Sequence, residues 1–257
     1  MTGALPGRAR QGAVVVVALV LGAVFAGALT RATFGFGEAV VSMPLLALLP
    51  ISLHTSASLI GLAGLGVAAL SMGVRSRQVD TRALARLCVG TALGVPVGIL
   101  VLRMVPRPLA SMVLGVCLVS YAGYSLLPRA ERGRIGIRWA YPAGFAAGAL
   151  GSAYNFNGVP VVVYGSLRRW SAAEFRGTLQ AHFLFSGGLV VSAQAIGGVW
   201  TARLPLLLAL SLPVLILATW VGHRLHNRIS ADRFQRLVYL LVLALGLILT
   251  GKGAVSA

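Results

Sequence analysis

Two short stretches of this chain place glycine and amide side chains between long apolar runs: Gly35-Phe36-Gly37, and Asn155-Phe156-Asn157-Gly158-Val159-Pro160. Glycine lets a backbone approach a ligand closely, and a carboxamide offers both N–H donors and a carbonyl acceptor. Asn157 stands where it can cap a helix started by Pro160, and the amide N–H groups of Asn155 can be offered to a ligand oxygen. Arg31 and Glu38 flank the first stretch. Two opposite charges in apolar surroundings either neutralise each other as a salt bridge or work: Arg31 by attracting an anion, Glu38 by taking up and releasing a proton. A third group, Thr178, His182 and Ser186, recurs every four residues, so on a helix it forms one polar stripe facing a bundle interior or a cavity. Uncharged donors, glycine turns and one cation suit reversible binding of a small anion.

The elements that position these residues follow from composition. Of the 257 residues, 58 % are hydrophobic and 11 % charged, and the mean hydropathy is +0.88. That is not a surface made for water. Apolar runs at 83–102, 107–127, 204–222 and 237–250 approach or reach the roughly 20 residues that cross a bilayer as a helix. They are apolar on every side, so they lack the alternation of a membrane barrel strand. The expected fold class is all-α, a polytopic membrane protein in the lipid bilayer. A net charge of +17 would suggest nucleic acid in a soluble protein, but here the arginines sit in short loops with little aromatic interleaving, so no nucleic-acid partner is expected. Arg8 and Arg10 ahead of an apolar run imitate a secretory leader. Against that reading, residues 26–37 have a counterpart later in the chain.

The counterpart is direct: Ala26-Gly27-Ala28-Leu29 recurs as Ala147-Gly148-Ala149-Leu150, 121 residues later, and the same offset aligns Ala32 with Ala153 and Gly37 with Gly158. Each copy runs from an apolar helix into a break, at 34–38 and 154–159, then into a short apolar segment, 39–49 or 160–167, with a proline at or near its start, Pro44 or Pro160. These pairs read as helical hairpins that enter the membrane and return. Three spans follow each, near 54–73, 83–102 and 108–127, then near 175–199, 204–222 and 233–250. The expected organisation is a first transmembrane repeat over 12–127, a basic cytoplasmic linker over 128–138 and a second repeat over 139–250, in one integrated membrane domain. An odd number of crossings inverts the second repeat. On that topology fifteen of the 22 basic residues fall on one side, which becomes the cytoplasmic one, and both termini lie outside. Arg8 and Arg10 dissent, and the alternative lets the first helix cross fully from the cytoplasm. Two broken helices are tolerated in lipid only where protein or an aqueous cavity satisfies the freed backbone, so the breaks are expected to share one cavity.

The segments GFGEAVVSMPLL at 35–46 and YNFNGVPVVVYGSLRRWSAAEFRGTLQAHF at 154–183 resemble the TauE/SafE family of sulfite and organosulfonate exporters, with similarity over nearly the whole chain. The family pattern is matched at Gly35, Gly37 and Pro44, and again at Gly158, Pro160, Tyr164, Phe175, Arg176 and Thr178. Glu38, Ala39 and Val159 depart from it, standing where many relatives carry glycine, glycine and proline. The resemblance implies export of a small sulfur oxyanion from a cell membrane, here a bacterial inner membrane, and adds Tyr164 to a substrate-binding set of Asn155, Asn157, Gly158, Gly35, Gly37, Thr178 and His182. The residues by themselves support a small anion.

A membrane-embedded enzyme would need a nucleophile with a base, or a metal set, at one depth. The chain has five acids, Glu38, Asp80, Glu131, Glu174 and Asp232, of which four lie in or beside loops, and Cys88 and Cys117 lack ligand spacing. No enzyme activity, metal or cofactor is expected, and with no nucleotide-binding motif no direct drive by ATP. A passive anion channel is the alternative to a carrier. Oligomeric state is not legible.

Overall fold

The computed structural model describes residues 6–71, 78–127, 135–226 and 231–256. Among them are ten α-helices: α1 (Pro6–Phe34), α2 (Glu38–Ala47), α3 (Leu53–Ser71), α4 (Thr81–Met104), α5 (Arg107–Leu126), α6 (Ala140–Tyr154), α7 (Gly158–Arg168), α8 (Ala172–Ile196), α9 (Leu204–His226) and α10 (Ala231–Ser256). Five stretches within them are long and apolar enough to cross a membrane: Gln11–Phe34, Thr81–Met104, Pro108–Leu126, Ala173–Ile196 and Leu204–Gly222. The chain is a multi-pass membrane protein. The basic segments 72–77, 128–134 and 227–230 lie outside the described residues, and with them most of the linker expected at 128–138.

Both breaks are present and tighter than the sequence suggested, at 35–37 and 155–157. Gly35 and Gly37 adopt φ of +84° and +97°, a left-handed backbone that costs a side-chain-bearing residue strain. The second break is turned by Asn155 at φ +59°, a region that asparagine tolerates. Two local expectations are corrected, and the first arms of the two hairpins differ in length. Pro44 does not begin the second arm: α2 starts at Glu38 and Pro44 lies inside it, where its ring removes the bond that Val40 carbonyl would accept. Helix α8 ends at Ile196, and Gly198 turns the chain out of it at φ +64° before the expected end at 199. Finally, α1 has 29 residues and α6 has 15, so the first arm alone is long enough to cross the membrane.

Packing follows the logic of lipid, where apolar side chains gain little by hiding and small residues at interfaces let backbones touch. Helix α4 shows this on its two faces. Val89, Leu93, Val97 and Leu100 are exposed, whereas Gly90, Thr91, Gly94 and Gly98 are buried. The glycine face lies along Gly144 and Gly148 of α6, and the two helices run in the same direction. A methyl group at Gly94 would stand 2.9 Å from Ala149 N, and one at Gly148 would stand 2.9 Å from Thr91 C, so only glycine fits. The contact is sealed by Thr91 Oγ1 donating to Gly144 carbonyl at 3.1 Å and Ser152 Oγ donating to Val95 carbonyl at 3.0 Å. Gly27 does the same for the first hairpin: a methyl there would stand 2.6 Å from Glu38 carbonyl oxygen. Ser42 Oγ then reaches Ala23 carbonyl at 2.9 Å, tying α2 to α1.

Candidate functional site

The short helices α2 and α7 both begin at one partly open cavity. The first break supplies Phe36, Gly37 and Glu38 to its wall, and the second supplies Asn155, Asn157 and Gly158. Arg31 at the end of α1, Gly61 and Gly64 on α3, and Phe183 and Gly187 on α8 also line it. The first bond into α2 that closes runs from Val41 N–H to Gly37 carbonyl, so the N–H groups ahead of it stand at the helix mouth without intrahelical acceptors. Two helix N-termini with their partial positive charge thus border the same space, an arrangement that favours an anion.

Arg31 and Glu38 meet across the first break. Arg31 Nη1 lies 2.9 Å from Glu38 Oε2, with side chains 10 % and 4 % exposed, burial deep enough that neither charge is tolerable alone. The guanidinium also stands over the Phe183 ring, 4.7 Å from its centroid, a cation–π contact. Space for the pair is made by Gly64, where a methyl would come within 3.0 Å of both charged groups. Glu38 Oε1 is buried and accepts no hydrogen bond from the described residues.

Both asparagines line the cavity, but their bonds differ from expectation. Asn155 Nδ2 donates one of its two N–H groups to Ala57 carbonyl on α3, and its oxygen turns toward Gly61. Asn157 occupies the N-cap position of α7 without a side-chain cap bond. Its backbone is already helical, φ −58° and ψ −28°, whereas a side chain that caps needs the non-helical backbone of a true N-cap. Instead Asn157 Nδ2 donates to Ser186 Oγ on α8 at 2.9 Å. Gly158 carries no unusual φ; its role is room, since a methyl there would lie 2.7 Å from the Phe183 ring. Gly35 turns the first break with nothing against it.

The polar stripe of α8 faces the bundle interior rather than this cavity, and Thr178, His182 and Ser186 are all fully buried. Thr178 Oγ1 accepts the Asp80 N–H at 2.9 Å, fixing the start of α4. His182 Nε2 lies 3.0 Å from Thr91 Oγ1, in the seam between α4 and α6. Tyr164 is buried away from the cavity wall, edge-on to Trp170 at 5.4 Å. Trp170 packs edge-on to Phe175, which packs edge-on to Phe36, and Trp170 Nε1 donates to Asp80 Oδ2 at 3.2 Å. The aromatic residues of the second segment therefore latch the second hairpin to the start of α4 and to α8, and only Phe36 of this ladder reaches the cavity. The wall residues on α3 and Phe183 on α8 are what the sequence reading missed. The signal was the spacing of Gly61 and Gly64, which puts two glycines on one face of a helix.

The sequence model of the sulfite exporter TauE/SafE family matches residues 19–249. The chain belongs to the TauE/SafE family. This membership makes it a transporter. A curated relative, the "Probable sulfite/organosulfonate exporter TauE" of Cupriavidus necator, is 25 % identical over 229 residues, covering 86 % of this chain and 88 % of its own length. No solved structure matches the chain. The TauE/SafE match spans both breaks and every wall residue of the cavity named above.

Proposed function

We propose that this TauE/SafE protein is a secondary transporter that exports a small sulfur oxyanion, sulfite or an organosulfonate, across the cytoplasmic membrane, and that it binds the anion in the cavity between the two helix breaks. The observation that carries the reading is the convergence there of two helix N-termini and the Arg31 guanidinium, with Gly37 and Gly158 keeping side chains out of the way. Arg31 is the cation the anion meets, and Glu38 holds it in place and balances it when the cavity is empty. The name of the Cupriavidus relative supplies the substrate class. In proteoliposomes, sulfite flux should saturate, and unlabelled sulfite on the far side should accelerate exit of labelled sulfite. Flux that stays linear with concentration and shows no counter-flow would identify a passive anion channel instead.

The architecture proposed is two inverted repeats, α1–α5 and α6–α10, each a broken hairpin followed by three helices, with the arginine-rich loops in the cytoplasm. Supporting this are the matched helix order and the placement of both breaks on one cavity. A single cysteine in the 129–138 loop should be protected from an impermeant thiol reagent added to intact cells, and one beside Arg203 should be labelled. The reverse pattern rejects the proposed orientation.

A further inference from the structure

Two carboxamides converge on one glycine of α3. Asn155 Nδ2 donates to Ala57 carbonyl, and Gln194 Nε2, on α8, donates to Ser152 carbonyl at 3.0 Å. These bonds fix which end of each amide is nitrogen, so both oxygens point into the space over Gly61. A methyl at Gly61 would lie 3.0 Å from Asn155 Oδ1 and 3.4 Å from Gln194 Oε1. Gln194 is fully buried, and its Oε1 receives no hydrogen bond from the described residues. Ser58, one turn earlier on the same face of α3, is also fully buried with an Oγ that no described residue reaches.

Acceptor oxygens that face one another without a donor between them repel, and burial makes that costly. The end of α6 lies beside them. That helix stops at Tyr154, so the carbonyl end of its dipole, which favours positive charge, borders the same space. The ligand set is neutral, all oxygen, with no thiolate, imidazole or carboxylate. Calcium and magnesium sites recruit carboxylates, and soft metals recruit sulfur or nitrogen. A small monovalent cation is what remains.

We propose that Asn155 Oδ1 and Gln194 Oε1 supply the amide oxygens of a sodium-binding site next to the anion cavity. Asn155 belongs to both, so the ion seated over Gly61 fixes the break whose helix N-terminus faces the anion. Occupancy of the two sites is then linked, each ligand raising affinity for the other by the same factor.

The test is direct binding of radioactive sodium to the purified full-length protein in detergent, against a choline background and without any anion substrate. Wild-type protein should bind sodium saturably. Gly61→Ala, which inserts a methyl between the oxygens, should raise the half-saturating sodium concentration by about tenfold or more. Gln194→Met, which keeps the volume and removes the oxygen, should act in the same direction, and Gly66→Ala, where a methyl meets nothing within 4 Å, should bind as wild type. The proposal is overturned if monodisperse wild-type protein binds no sodium above background, or if folded Gly61→Ala or Gln194→Met binds sodium as tightly as wild type. Since no anion enters the measurement, such a failure leaves the anion-transport reading to its own flux test.

Discussion

Replacing Arg31 with leucine should abolish transport and unfold much of the protein, whereas replacing Arg31 and Glu38 together should restore folding and leave transport absent. The ion pair is buried at 2.9 Å, and removing one partner of such a pair costs about 3 to 5 kcal/mol because the other charge is left alone in a poor dielectric. Removing both leaves no stranded charge, and replacement of a buried ion pair by apolar side chains that fill the space is often neutral. The single variant should therefore extract as aggregate, and the double variant should run as a sharp peak with a thermal midpoint near wild type. Flux separates structure from function: the double variant keeps both helix N-termini at the cavity but has lost its cation. Sulfite flux at the wild-type rate through the double variant would remove Arg31 from the binding site and leave the helix termini to do the work alone.

The second large effect is expected far from the cavity, at Gly94. The same Gly→Ala change should have opposite signs at Gly94 and Gly123. Alanine is favoured over glycine inside a helix by about 1 kcal/mol, and at Gly123, where a methyl meets nothing within 4 Å, that gain should appear as a slightly higher thermal midpoint. At Gly94 the methyl meets Ala149 N and the Phe145 backbone. Backbone cannot rotate aside, so α4 and α6 must separate, with an overpacking cost of about 1 to 3 kcal/mol, and the Thr91–Gly144 and Ser152–Val95 bonds stretch with them. Because α6 leads directly into the second break, anion flux should fall with stability at Gly94. Equal thermal midpoints for the two variants would mean that the helices are not in backbone contact.

The two breaks were legible because the residues that make them are scarce inside membrane helices and have few other uses: Gly35 and Gly37 hold a backbone others avoid, and Asn155 turns the second. The shared cavity followed from the same reasoning, since two interrupted helices in lipid need one place to satisfy their ends. What could not be read was which neighbour each side chain meets. For Thr178 and His182, the four-residue spacing allowed a bundle interior or a cavity and did not choose between them. In a dry bundle polar groups are satisfied by one another, and these two bond to the start and middle of α4, while α8 gives the cavity Phe183 and Gly187 instead. The repeat misleads in a similar way. Gly27 and Gly148 occupy matching positions, yet one receives α2 and the other receives α4, so sequence symmetry carried the hairpin but not its contacts. Asn157 stands at the expected N-cap position without the cap bond, because its backbone is already helical and its amide nitrogen reaches sideways to Ser186.

The pairing of Arg31 with Glu38 also determines how such a carrier responds to membrane voltage. With both charges on one hairpin, 2.9 Å apart, an empty cavity has no net side-chain charge to drag through the field when it turns from one face to the other. An anion seated there adds its charge, and each elementary charge moved across the membrane is worth about 2.3 kcal/mol per 100 mV. In a cell whose interior is negative, the loaded step outward is then driven by the potential and the empty return is not opposed by it. For the carrier proposed above, an anion that travels alone is driven outward by electrical polarity, whereas a sodium ion seated beside a monovalent anion cancels that bias.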